Sequence, residues 1–520
     1  HDLFHIKPDG IMTIVLPHGV LFRGGEEGEI RKNLIENNHI DAIIGLPANI
    51  FFGTGIPTII MVLRQKRENT DVLIIDASKG FIKEGKNNKL RASDIKRIAD
   101  TFIKRESVTK FSRVVSREEI RSNDYNLNIP RYVDSSEAAE HWDVYASMFG
   151  GIPTAEIDEM SEFWTAFPAL KKALFTESGI PYVNVSTPDI KSAIKSHPDV
   201  VGFENAFNAA FSTFPAFLKE ELIDRMGSIE ISKAETVLSA DIFERLKEIP
   251  LIDKYAAFQL LDDDWTGISI DLEMLQTEGF AATKKVDPNL VIKKKDGKDQ
   301  EVQEGWIGHI IPFDLVQATL LSTETDELHG LESRLAEIPS EYESILDEMT
   351  EEDKESCNDV LTEEGDAFVP KEVSKKIKEL KKDRSPESVA LRTLLEKVES
   401  LVKSEKEIKA EIKAKSAALQ AKTKDTIESL SDEQALDLLE KKWIAPLIES
   451  IHKLPDTVID SLVSKIQALQ NKYATTFFEV EQQISETEAT LSGMIDDLEG
   501  NEYDMLGLNE LKKLLGGSAE

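Results

Sequence analysis

Apolar and polar positions along the first 80 residues follow a pattern that predicts short strands joined by loops and one helix. Four apolar runs predict strands, at Ile11–Pro17, Ile40–Pro47, Ile56–Gln65 and Asp71–Ser78. The first run is continuously apolar, which is typical of a strand buried on both faces. Glu26–Asn37 combines apolar residues at helical spacing with three glutamates in its first turn, which predicts a helix.

The connection between the second and third runs decides how these strands pair. The eight residues Ala48–Gly55 are too few to hold a crossover helix, so the two runs are predicted to be an antiparallel pair. An amphipathic helix is predicted at Ser93–Lys104. The fold class is therefore α/β, with a sheet that ends in an antiparallel hairpin. Methyltransferases of the common S-adenosylmethionine fold end their sheet in this way, and the pattern resembles theirs.

Residues 136–330 read as a mainly helical, acidic middle region to which the sequence assigns no fold. Short strands are predicted near Trp265–Leu275 and Pro288–Val302, and Lys293–Gln300 is predicted to form a charged hairpin turn. The acidic run Asp262–Asp264 is interpreted as a helix end or a solvated cluster. No metal site is predicted.

The tail, residues 331–520, is predicted to consist of long helices with coiled-coil character. Ser385 and Pro386 form a helix start, with a capping residue followed by proline in the first turn. Two apolar seams then step by three and four residues, one from Leu391 to Leu419 and one from Ile459 to Met494. Between them, Leu430–Leu447 is predicted as a capped helix that ends near Pro446. Two interpretations stay open: the seam helices pack on each other as an antiparallel hairpin, or they also clamp a partner's coiled coil.

Charge divides the chain at about residue 140. The whole chain carries a net charge of −34, whereas residues 1–140 hold 21 basic and 20 acidic residues. Basic residues concentrate between Arg64 and Arg131, so this first part is the one suited to nucleic acid. The sequence contains no apolar run long enough to cross a bilayer and no Gly-x-Gly-x-x-Gly turn, which argues against a membrane protein and a nucleotide-dependent oxidoreductase. A cytoplasmic location is expected.

Three segments in order resemble the modification subunit of type I restriction–modification systems. They are "LPHGVLFRGGEEGEIRKNL" (Leu16–Leu34), "FFGTGIP" (Phe51–Pro57) and "DYNLNIPRY" (Asp124–Tyr132). The resemblance implies that residues 1–135 are the C-terminal part of a DNA adenine-N6 methyltransferase domain. It also implies S-adenosylmethionine as cofactor, and the long helical tail of residues 331–520 resembles that of the same family.

The chain departs from that family at its two signature motifs. Neither Asn-Pro-Pro-Phe/Tyr nor a glycine-rich turn of the Asp-Pro-x-x-Gly-x-Gly type occurs in the 520 residues. Both are expected upstream of His1. The chain is therefore expected to be the C-terminal portion of a longer subunit, without catalytic or cofactor-binding residues of its own and inactive alone.

The resemblance assigns candidate site residues in two loops. An aromatic residue before the last strand packs on the target adenine in the family, which points to Phe51 or Phe52, with Phe52 the favoured contact and Phe51 buried. Core anchoring of a hairpin turn is the alternative for both. A DNA-facing loop is predicted after the first strand, at His18, Gly19, Arg23, Gly24 and Gly25. Arg23 alternatively bridges a neighbouring carboxylate, and His18 is expected to cap or hydrogen-bond and not to act as a base.

Two functions of different classes are weighed. In the first, the chain belongs to a modification subunit that methylates adenine N6, with partners that the resemblance implies: DNA, a specificity subunit held by the C-terminal helices, and a restriction subunit. In the second, it is a non-catalytic coiled-coil assembly module. Binding of S-adenosylmethionine separates them.

Overall fold

The computed structural model describes residues 2–136, 140–179, 181–295, 298–362, 365–383 and 385–515. The chain divides into two compact units. One unit comprises His1–Pro215, Lys233–Trp265 and Leu447–Glu520, and the other comprises Ala216–Ser232 and Thr266–Pro446. Among the described helices, none combines the length and apolarity needed to span a membrane.

The strands, in chain order, are β1 (Ile11–Pro17), β2 (Ile40–Gly45), β3 (Thr58–Arg64), β4 (Val72–Asp76), β5 (Ile82–Glu84), β6 (Asn87–Lys89), β7 (Ser112–Val115), β8 (Ile152–Pro153), β9 (Phe175–Gly179), β10 (Tyr182–Val185), β11 (Val286–Lys295) and β12 (Lys298–Gly308). The α-helices are α1 (Asp2–His5), α2 (Glu26–Glu36), α3 (Ala92–Lys104), α4 (Arg117–Ser122), α5 (Val144–Phe149), α6 (Thr154–Asp158), α7 (Ser161–Ala166), α8 (Leu170–Leu174), α9 (Ile190–Lys195), α10 (Pro198–Phe211), α11 (Phe214–Leu218), α12 (Ile231–Arg245), α13 (Lys254–Glu278), α14 (Phe313–Leu320), α15 (Ser322–Glu348), α16 (Glu351–Ser356), α17 (Pro370–Leu380), α18 (Pro386–Glu428), α19 (Asp432–Trp443), α20 (Ala445–His452), α21 (Leu454–Lys472), α22 (Phe477–Asp496) and α23 (Glu502–Leu515). Short 3-10 turns lie at His18–Leu21, Ile129–Arg131 and Phe280–Lys284, and a π-helical turn lies at Lys219–Asp224.

A five-stranded sheet in the order β1-β3-β2-β4-β7 organises the first 135 residues. β3 runs antiparallel to both β1 and β2, while β2 and β4 are parallel. β1, β2 and β4 therefore point the same way, with one reversed strand between β1 and β2. The four predicted strands, the antiparallel pair, and the helices α2 and α3 are confirmed. The sequence did not predict β7 or the small hairpin of β5 and β6.

Helices cover both faces of this sheet. Alternate residues of a strand point to opposite faces, so Ile43 of β2 and Ile74 of β4 pack with Ile35 of α2. Their neighbours on the other face form a second cluster, against which α3 packs Ile98. Burial of each side chain of this size stabilises the fold by about 1.5 to 3 kcal/mol relative to leaving it exposed. The sheet is therefore a stable support for the loops at its ends.

The prediction that β1 is buried on both faces is wrong. β1 lies at the edge of the sheet and is bonded to β3 alone among the described strands. Its side chains alternate, because Met12, Ile14 and Leu16 pack against the core while Ile11 and Val15 are about half exposed, at 51% and 50%. An apolar run on an edge strand leaves its outer residues uncovered.

An ion-pair network connects residues at the end of the sheet where β2 begins and β3 ends. The nearly buried Asp41 carboxylate at the start of β2 pairs with Arg64 at 2.6 Å, with Arg67 at 3.2 Å and with Arg105 at 2.5 Å. Burial lowers the pKa of Arg67, and Asp41 opposes that shift. Three guanidinium groups from separate positions of the chain thus converge on one carboxylate.

A second core in the same unit joins distant parts of the chain. Phe167, Leu174 and Ile194 pack with Ile459 and Ile466 of α21. The junction is also polar, since Lys472 pairs with Glu156 at 2.8 Å and the Tyr473 hydroxyl contacts the same carboxylate.

Helix α13 corrects two predictions for the middle of the chain. The stretch Trp265–Leu275, predicted as a short strand, lies inside this 25-residue helix. The run Asp262–Asp264 is also inside it and not at a helix end: Asp263 is exposed, and the other two carboxylates are partly buried. Burial raises the pKa of Asp262 and of Asp264, and neighbouring Asp263 adds to both shifts.

The strands predicted near Pro288–Val302 are confirmed as the antiparallel hairpin of β11 and β12. The turn predicted within Lys293–Gln300 falls on residues 296–297, outside the described residues. Ser385 caps α18 by accepting a hydrogen bond from the Ser388 amide, with Pro386 in the first turn, as predicted.

The helices of the two seams do not form the expected antiparallel pair. Leu391, Leu395 and Val398 of α18 pack in one unit with residues of α15 and α17. The second seam splits into α21, which packs in the core of the other unit, and α22, which has no buried residue. The helix predicted over Leu430–Leu447 is α19, and a second helix, α20, begins at Ala445.

Candidate functional site

The two predicted loops lie at the same edge of the sheet, where β1, β2 and β4 end. Pro17 at the end of β1 is paired with Thr58, and Gly45 at the end of β2 is paired with Asp76 at the end of β4. The His18 amide also donates to the Pro57 carbonyl at 3.4 Å. We call this the carboxyl edge. Parallel α/β sheets place their ligands at this edge.

The loop after β1 is held from beneath by Arg31, which the sequence analysis missed. This α2 residue is only 5% exposed. Its Nη1 donates to the carbonyls of Val20 at 2.8 Å and Arg23 at 2.7 Å, and its Nε donates to the Tyr125 carbonyl at 3.2 Å. The guanidinium therefore joins the loop to the segment that closes the domain. Burial lowers the pKa of Arg31, with Glu27 opposing that shift.

Arg23 folds back within the loop. Its guanidinium lies so close to Gly19 that a Cβ there would be 2.8 Å from Arg23 Cζ. Arg23 Nη1 lies 3.7 Å from Glu27 Oε1, and both side chains are largely exposed. The carboxylate bridge weighed from the sequence is thus present in this structure.

Gly24 and Gly25 leave open space at the start of α2. No atom lies within 4 Å of a Cβ built at either position, and Gly25 has φ of +65°. However, Glu26, Glu27 and Glu29 fill the first turn of α2, where an anionic ligand would meet like charge. This loop therefore suits an uncharged base better than a phosphate.

His18 and Asp76 stand next to each other at the carboxyl edge. The His18 ring lies edge-on to Phe22, with 5.9 Å between the ring centroids. Burial lowers the pKa of His18, while the Asp76 carboxylate opposes that shift. Asp76 accepts hydrogen bonds from the Ser78 amide at 3.0 Å and from the Ser135 hydroxyl. A neutral imidazole can donate or accept one hydrogen bond, and the hydrogen-bonding role of His18 stays a prediction.

Phe51 and Phe52 lie in the loop between β2 and β3, which we call the aromatic loop. Phe52 is 92% exposed and Phe51 is 40% exposed, so the expectation that Phe51 is buried is wrong. A tight turn places them: Phe51 forms an isolated bridge with Thr54, and Gly53 has φ of +81°. An aromatic ring with this exposure has a free face on which a planar group can stack.

Asn88 of β6 fastens the aromatic loop, and the sequence analysis missed it as well. Its side-chain amide donates to the Ala48 carbonyl at 2.7 Å, and its backbone amide donates to the Asn49 carbonyl at 2.9 Å. The β5–β6 hairpin therefore lies directly beside the aromatic loop.

One cavity at the carboxyl edge lies beside Asp76. This cavity of about 350 Å³ at the end of β4 is lined by charged side chains, among them Asp76, Lys79, Arg91 and Asp94. It has no glycine-rich turn of the family's type, since that motif is absent from the sequence.

A scan against protein families matches residues 1–141 to the model described as N-6 DNA Methylase. Over these residues the chain is similar to that family. We refer to them as the methylase segment. The resemblance read from the three sequence segments is thereby confirmed.

Known relatives match only a part of this chain. The MpnII methylase subunit of a type I restriction enzyme from Mycoplasma pneumoniae is 38% identical over 145 residues, which are 28% of this chain and 27% of the relative. The MjaVII methylase subunit from Methanocaldococcus jannaschii is 42% identical over 137 residues, 25% of this chain and 24% of the relative. The chain thus spans about a quarter of the length of these relatives.

A solved structure also matches about a quarter of this chain. It is the crystal structure of a type I restriction-modification system methyltransferase subunit from Streptococcus thermophilus. The two chains are 54% identical over the matched part, which covers 26% of this chain and 28% of that chain with a TM-score of 0.25.

Proposed function

We propose that residues 1–135 form the target-adenine side of a DNA adenine-N6 methyltransferase, within the modification subunit of a type I restriction–modification system. The exposed Phe52 ring carries this proposal, because it lies at the carboxyl edge of a sheet whose reversed strand lies between two parallel ones. The family of the methylase segment and its similarity to type I methylase subunits support the same reaction.

The chemistry requires an adenine that has left the double helix, because N6 is engaged in base pairing there. Phe52 offers a stacking face for the flipped base, and the neutral His18 offers a hydrogen bond at the same edge. Arg31 fixes the position of the loop that carries His18. S-adenosylmethionine supplies the methyl group, and the exocyclic amine needs no strong base to accept it.

We further propose that additional strands of the catalytic sheet, together with the cofactor turn and the Asn-Pro-Pro motif, are supplied by residues outside these 520. The outer edge of β1 supports this, since Ile11 and Val15 are half exposed there. Strands that extend the sheet beyond β1, with helices packed on its exposed face, would cover both side chains. On this view the chain alone does not transfer methyl groups.

The C-terminal helices support a proposed role in assembly. We propose that residues 331–520 serve subunit contacts and that α22 and α23 bind the coiled-coil helices of a specificity subunit, which reads the DNA sequence; a restriction subunit joins for cleavage. A groove of about 560 Å³ along α22 is lined by Thr487, Leu491 and Met494 among others. Residues 136–330 are proposed as a separate middle region without an assigned role.

This groove also favours the second candidate, a non-catalytic assembly module. The two candidates differ in whether the carboxyl edge takes part in methyl transfer. On the module view, side chains of the carboxyl edge could be replaced without effect on any reaction.

The test is methyl transfer by the subunit read from the complete open reading frame, expressed with the neighbouring specificity subunit. We expect Phe52→Ala to lower kcat by about 5- to 150-fold, since stacking of one base on an aromatic residue is worth about 1 to 3 kcal/mol. Phe52→Trp should retain activity, and Ile56→Ala, which truncates another exposed apolar side chain of the same loop, is the matched control. Equal rates for Phe52→Ala and Ile56→Ala, or no methyl transfer by the complex, would overturn the proposal.

A further inference from the structure

The strongest positive charge near the carboxyl edge lies on and around the β5–β6 hairpin. Residues 79–91 contain five basic residues and one acidic residue, a net charge of +4 in a chain whose total is −34. The lysines of this segment are exposed. This segment is therefore positively charged in a chain that is strongly acidic as a whole.

The two faces of the hairpin differ in charge. Ile82 is paired with Lys89 and Glu84 with Asn87, so these residues share one face, where Glu84 and Lys89 form an ion pair at 3.2 Å. Lys83 lies on the other face. That second face carries no carboxylate.

The uncompensated face of the hairpin points toward the aromatic loop. Lys83 is the cross-strand partner of Asn88, and partners in a strand pair project to the same face. Asn88 uses that face to bond the Ala48 carbonyl. Lys83 therefore projects from the hairpin face that is turned toward the aromatic loop, and this loop carries Phe52.

Lys83 and Lys86 are exposed lysines on and beside the uncompensated face of the hairpin. Among the residues that the structure describes, neither forms an ion pair, although most lysines of the tail do. Lys86 follows Gly85 in the turn of the hairpin, where the chain reverses with φ of +62° at the glycine. Both ammonium groups are thus free to bind an external anion.

The hairpin lies within a few nucleotide lengths of the Phe52 ring. Asn49, bonded to Asn88, is three residues before Phe52, and three residues span at most about 11 Å. Successive phosphates of one DNA strand are about 3.4 Å apart along the helix axis. A base stacked on Phe52 therefore leaves phosphates a few nucleotides away within reach of the hairpin.

We propose that Lys83 and Lys86 bind the phosphate backbone of DNA beside the nucleotide that is presented to Phe52. This rests on the proposed function, whose substrate is DNA. The aromatic loop meets the base, and the β5–β6 hairpin neutralises the adjacent backbone. The interaction is independent of sequence, because phosphates carry no base information.

The test is salt-dependent binding of the full 520-residue chain to a fluorescein-labelled DNA duplex, followed by anisotropy from about 50 to about 200 mM salt. Removing one lysine–phosphate pair lowers the slope of log K against log salt by about 0.9. We expect the K83A/K86A double variant to lower this slope by about 2. At about 50 mM salt, the affinity should fall by about tenfold for each of the two lysines that is replaced.

Two controls make the result specific. K66A/K104A removes two exposed lysines at the opposite edge of the same sheet, and K89A removes the paired lysine on the other face of the hairpin. Both should leave the slope within about 0.5 of the parent value. The proposal is overturned if K83A/K86A behaves like K66A/K104A, or if the parent chain has no salt-dependent affinity for the duplex. Because no cofactor or turnover is involved, this result is separate from the Phe52 test.

Discussion

At the scale of single residues, Arg31 is a buried charge that holds the loop after β1. The sequence of that loop does not indicate this contact. Ile30, the neighbour of Arg31, is exposed, although apolar spacing predicted the reverse. The carbonyls of Val20, Arg23 and Tyr125 come from separate parts of the chain, so no local pattern could indicate their common donor. The available signal was weaker: Arg31 is four residues before buried Ile35 and hence on the inner face of α2.

We expect Arg31→Ala to loosen the loop after β1. Leaving buried acceptors without a donor costs about 1 to 3 kcal/mol each. Exchange of the Phe22 and Arg23 amides, which bond the Gly19 carbonyl, should therefore accelerate by about 30-fold or more. Hydrogen–deuterium exchange of peptides covering residues 18–31 measures this. Asn33→Ala, an exposed change on the same helix, is the control; equal protection in both variants would contradict the role of Arg31.

At the scale of elements, the sequence predicted the strands and helices that have a strong periodic signal. β2 and β4 were found because every residue of each strand is buried and all but Asp41 and Asp76 are apolar or glycine, which makes a nearly continuous apolar run. β1 has a similar run but lies at an edge, and burial on the second face cannot be read from composition. Residues 1–135 were assigned to a methyltransferase domain by resemblance to a known family. Periodicity alone did not indicate that family.

Helix α13 contains a stretch that was wrongly predicted as a strand. Its β-branched residues Ile268 and Ile270 favoured a strand. Its buried residues, however, recur at steps of three and four: Leu261, Trp265, Ile268, Leu272 and Leu275. A helical repeat of this length outweighs local strand propensity. The hairpin of β5 and β6 was missed for a different reason, since two three-residue strands whose one apolar residue is Ile82 carry no apolar pattern.

The acidic run of α13 makes a prediction about pH. Burial raises the pKa of Asp262 and also that of Glu235 on α12, where Asp262 adds to the shift and Lys96 opposes it. A carboxyl whose pKa is raised by folding binds its proton more tightly in the folded state, so its ionisation destabilises the fold as pH rises above its ordinary value of 3.8. The cost therefore grows as the pH rises from acid toward neutral.

We therefore expect Asp262→Asn to raise the free energy of unfolding at neutral pH, by about 1 kcal/mol or less, the size found for single charges near the surface. The gain should shrink as the pH falls toward about 4, where the parent carboxyl becomes protonated. Thermal unfolding at several pH values measures both effects. Glu273→Gln, at an exposed position of the same helix, is the control. A gain that grows with falling pH would contradict this account.

At the scale of the whole molecule, charge and exposed apolar surface are divided between different parts of the chain. The first 140 residues are close to neutral, and the remainder carries 41 basic and 76 acidic residues. The exposed apolar side chains of α22 and α23 lie in that acidic remainder. Under the proposed function, DNA and the protein partner are thus met by surfaces of different character.

For assembly, we expect L491E/M494E to leave the fold intact, because neither side chain is buried. Binding of the specificity subunit should fall by about 30-fold or more, the size of a hot-spot loss of about 2 kcal/mol. Pull-down and calorimetry measure this. The matched control is Q482E/A489E, which places the same charges on the opposite face of α22. Equal binding by both variants would remove the groove from the interface.

The core shared by residues 152–203 and helix α21 also sets an order of events during synthesis. Ile459 and Ile466 emerge from the ribosome more than 250 residues after Phe203. At about 5 to 20 residues per second, this interval is about 10 to 50 seconds. Throughout it, Phe167, Phe203 and their neighbours lack the side chains that cover them in the finished protein. Nascent chains halted before Leu454 should therefore be held by chaperones that recognise apolar segments, and release should follow completion of α21.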